Sequence, residues 1–332
     1  MLFKEDDIRP KALMAAKEAL LEEDKEFLRS RRSEFVQAAC PACGSGRSES
    51  WAEKEGFSYH VCRECRTVFM NPRACEELMR SFYQRSKNYA FWNKHIYPAS
   101  EAVRREKIMM PRARRVVACC EDAGLRGGTL LEVGAAFGTF CGCVRELGFF
   151  RRVIAVEPTA DLAEACRGKG LETLQTSFEG LELPASSVDA AVSFEVIEHL
   201  FSPAAFLERC GTFLKKGGLL VCTTPNIDAL GTLVLKEKAK VVDHEHVNYF
   251  NPESLAALFE RTGFEPLEVA TPGELDVELL MNALAEDAGL RESHPFFSRL
   301  LLRPDEAAQA ALQELLKKSR LSSHMWIVGR KR

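Results

Sequence analysis

The segment from residue 129 to residue 157 restricts the fold more than any other part of the chain. Thr129-Leu130-Leu131-Glu132-Val133 is a short apolar run that passes directly into Gly134-Ala135-Ala136-Phe137-Gly138. Phe140, Val144 and Leu147 then fall on one helical face, and Val153-Ile154-Ala155-Val156 ends at Glu157. Short apolar runs alternating with amphipathic helices describe a parallel sheet covered by helices. A turn of small residues lets a ligand approach the backbone at the carboxyl end of such a sheet. A carboxylate at the tip of the second strand can accept both ribose hydroxyls of an adenosine. A dinucleotide site would want G-x-G-x-x-G. Here Ala136 replaces the middle glycine and Thr139 follows Gly138, which suits a ligand without a pyrophosphate.

The pattern continues downstream. Residues 187–194 read as a fourth strand leading into Glu195-Val196-Ile197-Glu198-His199-Leu200, and Ser202-Pro203 opens a helix with proline at its first position. Residues 219–226 form a fifth strand. Asn251-Pro252 starts a helix with Leu255, Leu258 and Phe259 on one face and Gly263 at its end. Residues 265–270 and, after a helical insertion, Met325-Trp326-Ile327-Val328 supply the last two strands.

A second signal lies upstream. Cys40-Pro41-Ala42-Cys43 and Cys62-Arg63-Glu64-Cys65 are two CxxC pairs at zinc-ribbon spacing, with a strand-like alternation in Phe57-Ser58-Tyr59-His60-Val61 between them. Each pair closes a knuckle presenting two thiolates, and four thiolates fill a tetrahedron, so Cys40, Cys43, Cys62 and Cys65 are expected to hold a structural zinc. The other eight of the twelve cysteines read as small core residues.

At 332 residues the chain exceeds what one core usually organises. Its character changes three times. Residues 1–39 form a helical segment with Leu13, Ala16, Leu20 and Leu21 near helical spacing, and residues 40–71 the ribbon. Residues 72–123 are a helical connector rich in Arg and Lys, and residues 124–332 carry the α/β pattern. Lys+Arg 45 against Asp+Glu 48 argues against a general grip on nucleic-acid phosphates. No apolar run is long enough for a bilayer. The acidic start, Glu5-Asp6-Asp7, is unlike a secretory signal, so a cytoplasmic protein with its cysteines as thiols is expected.

The segments LEVGAAFGTF, VIAVEP, SVDAAVSFEVIEHL and LKKGGLLVCTTPN occur in the order of the motifs of class I S-adenosylmethionine-dependent methyltransferases, which residues 124–332 resemble. The resemblance implies a Rossmann-like seven-stranded domain. It implies that Gly134, Ala136 and Gly138 lie against the methionine part of the cofactor, with Glu132 and Phe137 beside them. Glu157 would hold the ribose, Thr176, Ser177 and Phe178 would flank the adenine, and Glu195 would line the cleft.

Three of the seven histidines, His199, His244 and His246, fall where an acceptor would enter. An extended segment from Asp243 to Phe250 would place His244, His246 and Asn248 on one side, so both histidines would face the cleft. His246, titrating near neutrality, is the expected general base, with Glu245 orienting it. An acid-and-histidine cluster can also hold a metal, but no further ligand pattern marks one. The ribbon, the Asn71-Pro72-Arg73 step and the Glu245-His246 pair together are similar to zinc-containing methyltransferases of sugar pathways, with Asp243 standing where those enzymes have a tyrosine. That similarity implies a sugar or nucleotide-linked sugar as methyl acceptor, at carbon or oxygen. Two other readings remain open. An RNA methyltransferase would bind RNA through the ribbon and Arg104, Arg105, Arg112, Arg114 and Arg115. A non-catalytic ribbon protein would bind partners from a methyltransferase scaffold.

Overall fold

Seven strands make the central sheet: β1 (Thr129–Val133), β2 (Arg152–Val156), β3 (Glu172–Leu174), β4 (Val188–Phe194), β5 (Leu214–Pro225), β6 (Phe264–Ala270) and β7 (His324–Lys331). The computed structural model describes residues 4–303 and 305–332. The order is β6-β7-β5-β4-β1-β2-β3. β7 runs antiparallel to β5 and β6, while β4 pairs in parallel with both β1 and β5. This is the Rossmann-like α/β architecture that the motif order implied. The chain steps outward from β1 to β3, then restarts at β4 on the other side. The crevice between the ends of β1 and β4 is therefore the switch point at which such sheets bind ligands.

Period-two alternation divides the sheet's residues between two cores. Leu131, Val133, Ile154 and Val156 face a layer containing helices Pro203–Phe213 and Pro252–Arg261. Leu130, Val153, Ala155 and Val192 face helices Met110–Asp122 and Thr139–Leu147. Helix Pro252–Arg261 starts on a reciprocal cap, in which Asn251 Oδ1 accepts from Ser254 N and Ser254 Oγ accepts from Asn251 N. Its Leu255, Leu258 and Phe259 are fully buried, each contributing about 1.5–3 kcal/mol of apolar burial.

The cysteine-rich segment forms an antiparallel sheet from strands Ser48–Lys54, Phe57–Cys62 and Val68–Met70. Glu55 and Gly56 both have positive φ (52° and 87°) and make the two-residue hairpin between the first two strands. The sheet's fourth strand is Asn248–Tyr249, which pairs with Val68–Phe69 from nearly two hundred residues away. Cys40, Ala42, Cys62 and Phe69 share one core with Phe250, Leu255 and Leu258. The small sheet is thus seated on the large domain and finished by it.

The N-terminal helices (Glu5–Ile8, Lys11–Ala16, Glu18–Arg29) bury Ile8, Asp24, Lys25 and Leu28. Leu13, Leu20 and Leu21 are only half-buried and Ala16 is exposed, so the buried stripe lies further along than the sequence spacing implied. Asp24 accounts for the shift: its carboxylate accepts from the N–H groups of Lys87 and Asn88 and from Ser86 Oγ, which fixes the segment onto the following helices. Between β6 and β7, helices Asp276–Glu286, Ala288–Ser293, Pro295–Leu301 and Glu306–Lys318 enclose a separate cluster around Leu280, Leu284 and Leu301. No helix among the described residues is long and apolar enough to cross a membrane.

Candidate active site

The glycine turn follows β1 at the switch point. Gly134, Ala136 and Gly138 all have positive φ (81°, 47° and 66°). A Cβ on Gly134 would come within 2.8 Å of Val196 Cγ2, so the bare backbone there is required by the loop after β4. Ala136 tolerates the left-handed conformation because its N–H donates to Glu157 Oε2 at 2.9 Å. Glu157 Oε1 accepts from Thr159 N at 2.9 Å. Burial pushes the Glu157 carboxyl above its usual range, and the two amide donors oppose that push. Each oxygen keeps a second lone pair for a ligand hydroxyl. A bare-backbone turn tied to a fixed carboxylate fits an adenosyl donor with an amino-acid end.

Other expected cofactor residues fall differently. Glu132 is buried beneath the turn, where its Oε2 accepts from Cys141 Sγ at 2.8 Å, and burial raises it to about 8. It supports the turn from below and does not line the cleft. Thr176 Oγ1 donates to Ser177 O, and both residues lie on the surface loop after β3. Phe178 packs against Phe206 with ring centroids 4.5 Å apart, joining the core under that loop. Phe137 meets Tyr97 at 5.3 Å, its carbonyl accepts from Lys169 Nζ, and Lys169 pairs with Glu101. Helix Tyr97–Arg104 thereby covers the turn, which nothing in the local sequence signalled.

Glu195, at the tip of β4, also has positive φ (53°). Its Oε1 accepts from Thr223 Oγ1 at 2.6 Å and faces Arg112 (3.6 Å) and His324 (3.4 Å). Non-glycine residues in this conformation carry backbone strain and concentrate at functional sites. Three residues on, Ile197–His199 forms a single 3-10 turn. His199 Nδ1 bonds Glu245 O at 3.0 Å, and its ring lies 4.7 Å from that of His246. Glu198, between the two expected residues, is fully buried. Its Oε2 accepts from Thr224 Oγ1, and its Oε1 has no partner among the described residues. Tyr83 stands edge-on to His199 and Tyr89, and Glu245 Oε1 accepts from Asn88 Nδ2 at 2.6 Å.

The segment before residue 248 is not extended, and this corrects two expectations. Asp243 Oδ1 accepts from the N–H groups of Glu245 and His246, an Asx turn that breaks the side-to-side alternation. His244 therefore turns away from His246. It is 1% exposed, stacked on Phe57 and edge-on to Phe82, with neither ring nitrogen hydrogen-bonded among the described residues. Burial lowers it to about 4, so it is an uncharged core ring. His246 does face His199, but not as a group titrating near neutrality. Burial works against its charged form, yet the Asp243 carboxylate 3.3 Å from Nδ1 outweighs that and raises it to about 10. Burial, with His246 beside it, lowers His199 to about 3. Glu245 is pushed up to about 7 by burial and by Asp243. The sequence pattern assigns no role to Glu198, Asp243 or His324, and gives Arg112 only an RNA contact. The acid immediately before His199 was the one available signal.

The four ribbon cysteines come together, with Cys40 Sγ 3.5 Å from Cys65 Sγ and Cys43 Sγ 3.5 Å from Cys62 Sγ. All four sulfurs lie within 4.8 Å of one another, close to the roughly 3.8 Å edge of a zinc–thiolate tetrahedron. This donor set fits a structural zinc with no open position. Gly44 and Arg66, each just after a second cysteine, have positive φ (77° and 62°), so the two knuckles share one backbone shape. Asn248 ties ribbon to cleft: it accepts from Arg73, and its Nδ2 donates to the carbonyls of Ile197, Glu198 and Leu200.

The connector's arginines are mostly engaged. Arg104 donates to Ile8 O, Arg105 pairs with Glu146, Arg112 with Glu195 and Arg115 with Glu268.

A crevice at the β1–β4 switch point, a left-handed glycine turn and an anchored carboxylate after β2 give a Rossmann-like cleft. The methyltransferase domain family matches residues 104–269, half of the chain, and the chain belongs to that family. Ubiquinone biosynthesis O-methyltransferase of Dinoroseobacter shibae is 28% identical over 155 residues, covering 44% of this chain and 60% of that protein. A Mycobacterium tuberculosis protein named "Probable S-adenosylmethionine-dependent methyltransferase" is 34% identical over 116 residues, covering 34% of this chain and 41% of its own length. The chain thus spans less than two thirds of either relative. The crystal structure of an S-adenosylmethionine-dependent methyltransferase from Archaeoglobus fulgidus aligns at 21% identity and a TM-score of 0.44, covering 66% of this chain and 94% of that one.

Proposed function

We propose that this protein transfers a methyl group from S-adenosylmethionine to a hydroxyl oxygen of a small polar molecule, with a sugar or nucleotide-linked sugar as the first class to test. The observation that carries the reading is the convergence of Glu198, His199 and His246, from the loop whose Val196 packs on Gly134, with Tyr83 edge-on to His199 and backed by Tyr89. When bound, the donor supplies a sulfonium methyl carbon, so the chain has only to align a nucleophile and manage its proton. Gly134, Ala136 and Gly138 hold the donor's amino-acid end, and Glu157 its ribose. The polar cluster receives the acceptor's hydroxyl, while the covering helices exclude water. The D. shibae relative, named for O-methylation, supports oxygen as the acceptor atom. The zinc ribbon acts structurally, through the strand pairing and Asn248 that hold the acceptor side.

Calorimetric titration with S-adenosylmethionine and with a nicotinamide dinucleotide, followed by a screen of nucleotide sugars and simple phenols with methyl-labelled donor, tests the reading. Tight binding of the first ligand alone and label recovered as a methyl ether are expected. Dinucleotide binding would overturn the donor assignment, and label on carbon or nitrogen would overturn the acceptor assignment.

A further inference from the structure

We infer that Glu198, His199 and His246 form a binding site for one divalent transition-metal cation on the acceptor side of the cleft. The inference deepens the O-methylation reading and depends on it only for the ion's role. Each of the three residues offers a ligand atom within 4.8 Å of the other two, from two segments nearly fifty residues apart. The ring nitrogens are already sorted. His199 Nδ1 bonds the carbonyl of Glu245 and His246 Nδ1 the carbonyl of Val241. A carbonyl only accepts, so Nδ1 carries a hydrogen in both rings and Nε2 is the ligating nitrogen; in His246, which Asp243 holds protonated, the cation takes the place of the Nε2 proton. Backbone carbonyls that fix the tautomer in this way are the usual support for metal-binding histidines.

Glu198 supplies a second, independent observation. It is 0% exposed, Thr224 holds one of its oxygens, and the other, Oε1, has no hydrogen-bond donor among the described residues. A buried carboxylate oxygen without a partner is costly to desolvate, and a cation bound there removes that cost. The elements around the cluster hold its members in place. Thr224 extends from β5, Asn248 fixes the carbonyls of Ile197 and Glu198, and Glu195 stands at the start of the same loop.

One carboxylate and two imidazoles suit a first-row divalent ion and leave positions open. The ribbon differs in both respects, because its four thiolates select zinc and close the coordination sphere. At the open positions the acceptor's hydroxyl oxygen would bind, and the ion would lower its pKa so that the proton leaves to bulk solvent before the covering helices close over the site. The oxygen lone pair then forms the O–CH3 bond as the carbon–sulfur bond breaks, with its electron pair remaining on sulfur.

The test is a Mn2+ titration of the full-length, zinc-loaded protein, followed by loss of the free-ion EPR signal, since Mn2+ avoids thiolate sites. One Mn2+ per chain is expected. His199→Ala and His246→Ala should each weaken it at least tenfold, with zinc content and melting temperature retained. Glu198→Gln, which keeps the Thr224 hydrogen bond, should weaken it as well if the alanine variants prove unstable. Absence of Mn2+ binding by the parent protein, or binding unchanged in all three variants, would overturn the site. Bound Mn2+ with no methyl ether from any hydroxyl acceptor would leave the site standing and remove the O-methylation reading. Methyl-ether formation at full rate by protein freed of this ion would overturn the ion's part in the transfer and leave the O-methylation reading standing.

Discussion

The two halves of the cleft are built in opposite ways. The half proposed for the methyl donor comes from one continuous strand–turn–helix–strand unit, residues 129–157, in which Ala136 and Glu157 contact each other directly. The half proposed for the acceptor takes Glu198 and His199 from the loop after β4, His246 from an Asx turn, Tyr83 and Asn88 from the connector helices, and its anchor Asn248 from a strand shared with the ribbon. A site within one βαβ unit tolerates change elsewhere. A site gathered from four segments fails when any one of them loosens.

The strongest test of that contrast is Cys62→Ser. Cys62 is fully buried in the core shared by ribbon and main domain, and loss of a structural zinc site costs several kcal/mol, on the order of what folds a small zinc module. Zinc content should fall, the ribbon half should melt early, and methyl transfer should be lost, while calorimetric affinity for S-adenosylmethionine changes less than tenfold. Loss of donor binding as well would erase the distinction between the two halves. Glu157→Ala probes the other side. It removes a carboxylate held by two amides, and hydrogen bonds to a charged group are worth about 1.5–3 kcal/mol each. Donor affinity should drop about a hundredfold with ribbon zinc retained, and unchanged affinity would contradict the ribose assignment.

Gly134→Ala meets both a left-handed backbone and Val196 at 2.8 Å, so a stability loss of about 1–3 kcal/mol is expected in denaturant unfolding. Adding Val196→Ala should recover part of it by removing the contact but not the backbone strain. Full recovery would show that sterics alone set the turn. The smallest effect concerns Glu132. Buried, it titrates at about 8, so it stays protonated in the folded chain while the unfolded chain ionises near the ordinary value. The unfolded state then binds fewer protons as pH rises from about 4.5 to about 8, and folding loses stability across that window. Glu132→Gln should escape this loss, gaining on the order of 2 kcal/mol over the parent between pH 5 and pH 7. A constant difference across that range would mean the carboxyl is ionised beneath the turn.

Legibility in the sequence follows the same division. The β1 turn, the position of Glu157 at the end of β2, the succession of strands along the chain and the cysteine quartet were readable because each is a local pattern with a local cause: left-handed turns need small residues, buried strands need apolar runs, and zinc knuckles need CxxC. Phe178 shows the limit, since an aromatic after β3 reads alike whether it faces a ligand or, as here, Phe206. The histidines show it more sharply. Alternation placed His244 beside His246, but the Asp243 side chain captures two backbone amides and rotates His244 into the aromatic layer between ribbon and connector. The charge on His246 was equally unreadable, because it is set by Asp243 and Glu198 from different turns.

The amino-acid order by itself determined the Rossmann-like sheet, the donor-side turn and the pairing of the thiols, since each rests on residues whose backbone preferences and spacing act within about thirty positions. Only the tertiary structure decided which histidine faces the cleft, which carboxylate lies buried beside it, and that residues 248–249 complete the ribbon's sheet. Those outcomes depend on hydrogen bonds and burial between segments far apart in the chain, whose strengths no local pattern encodes.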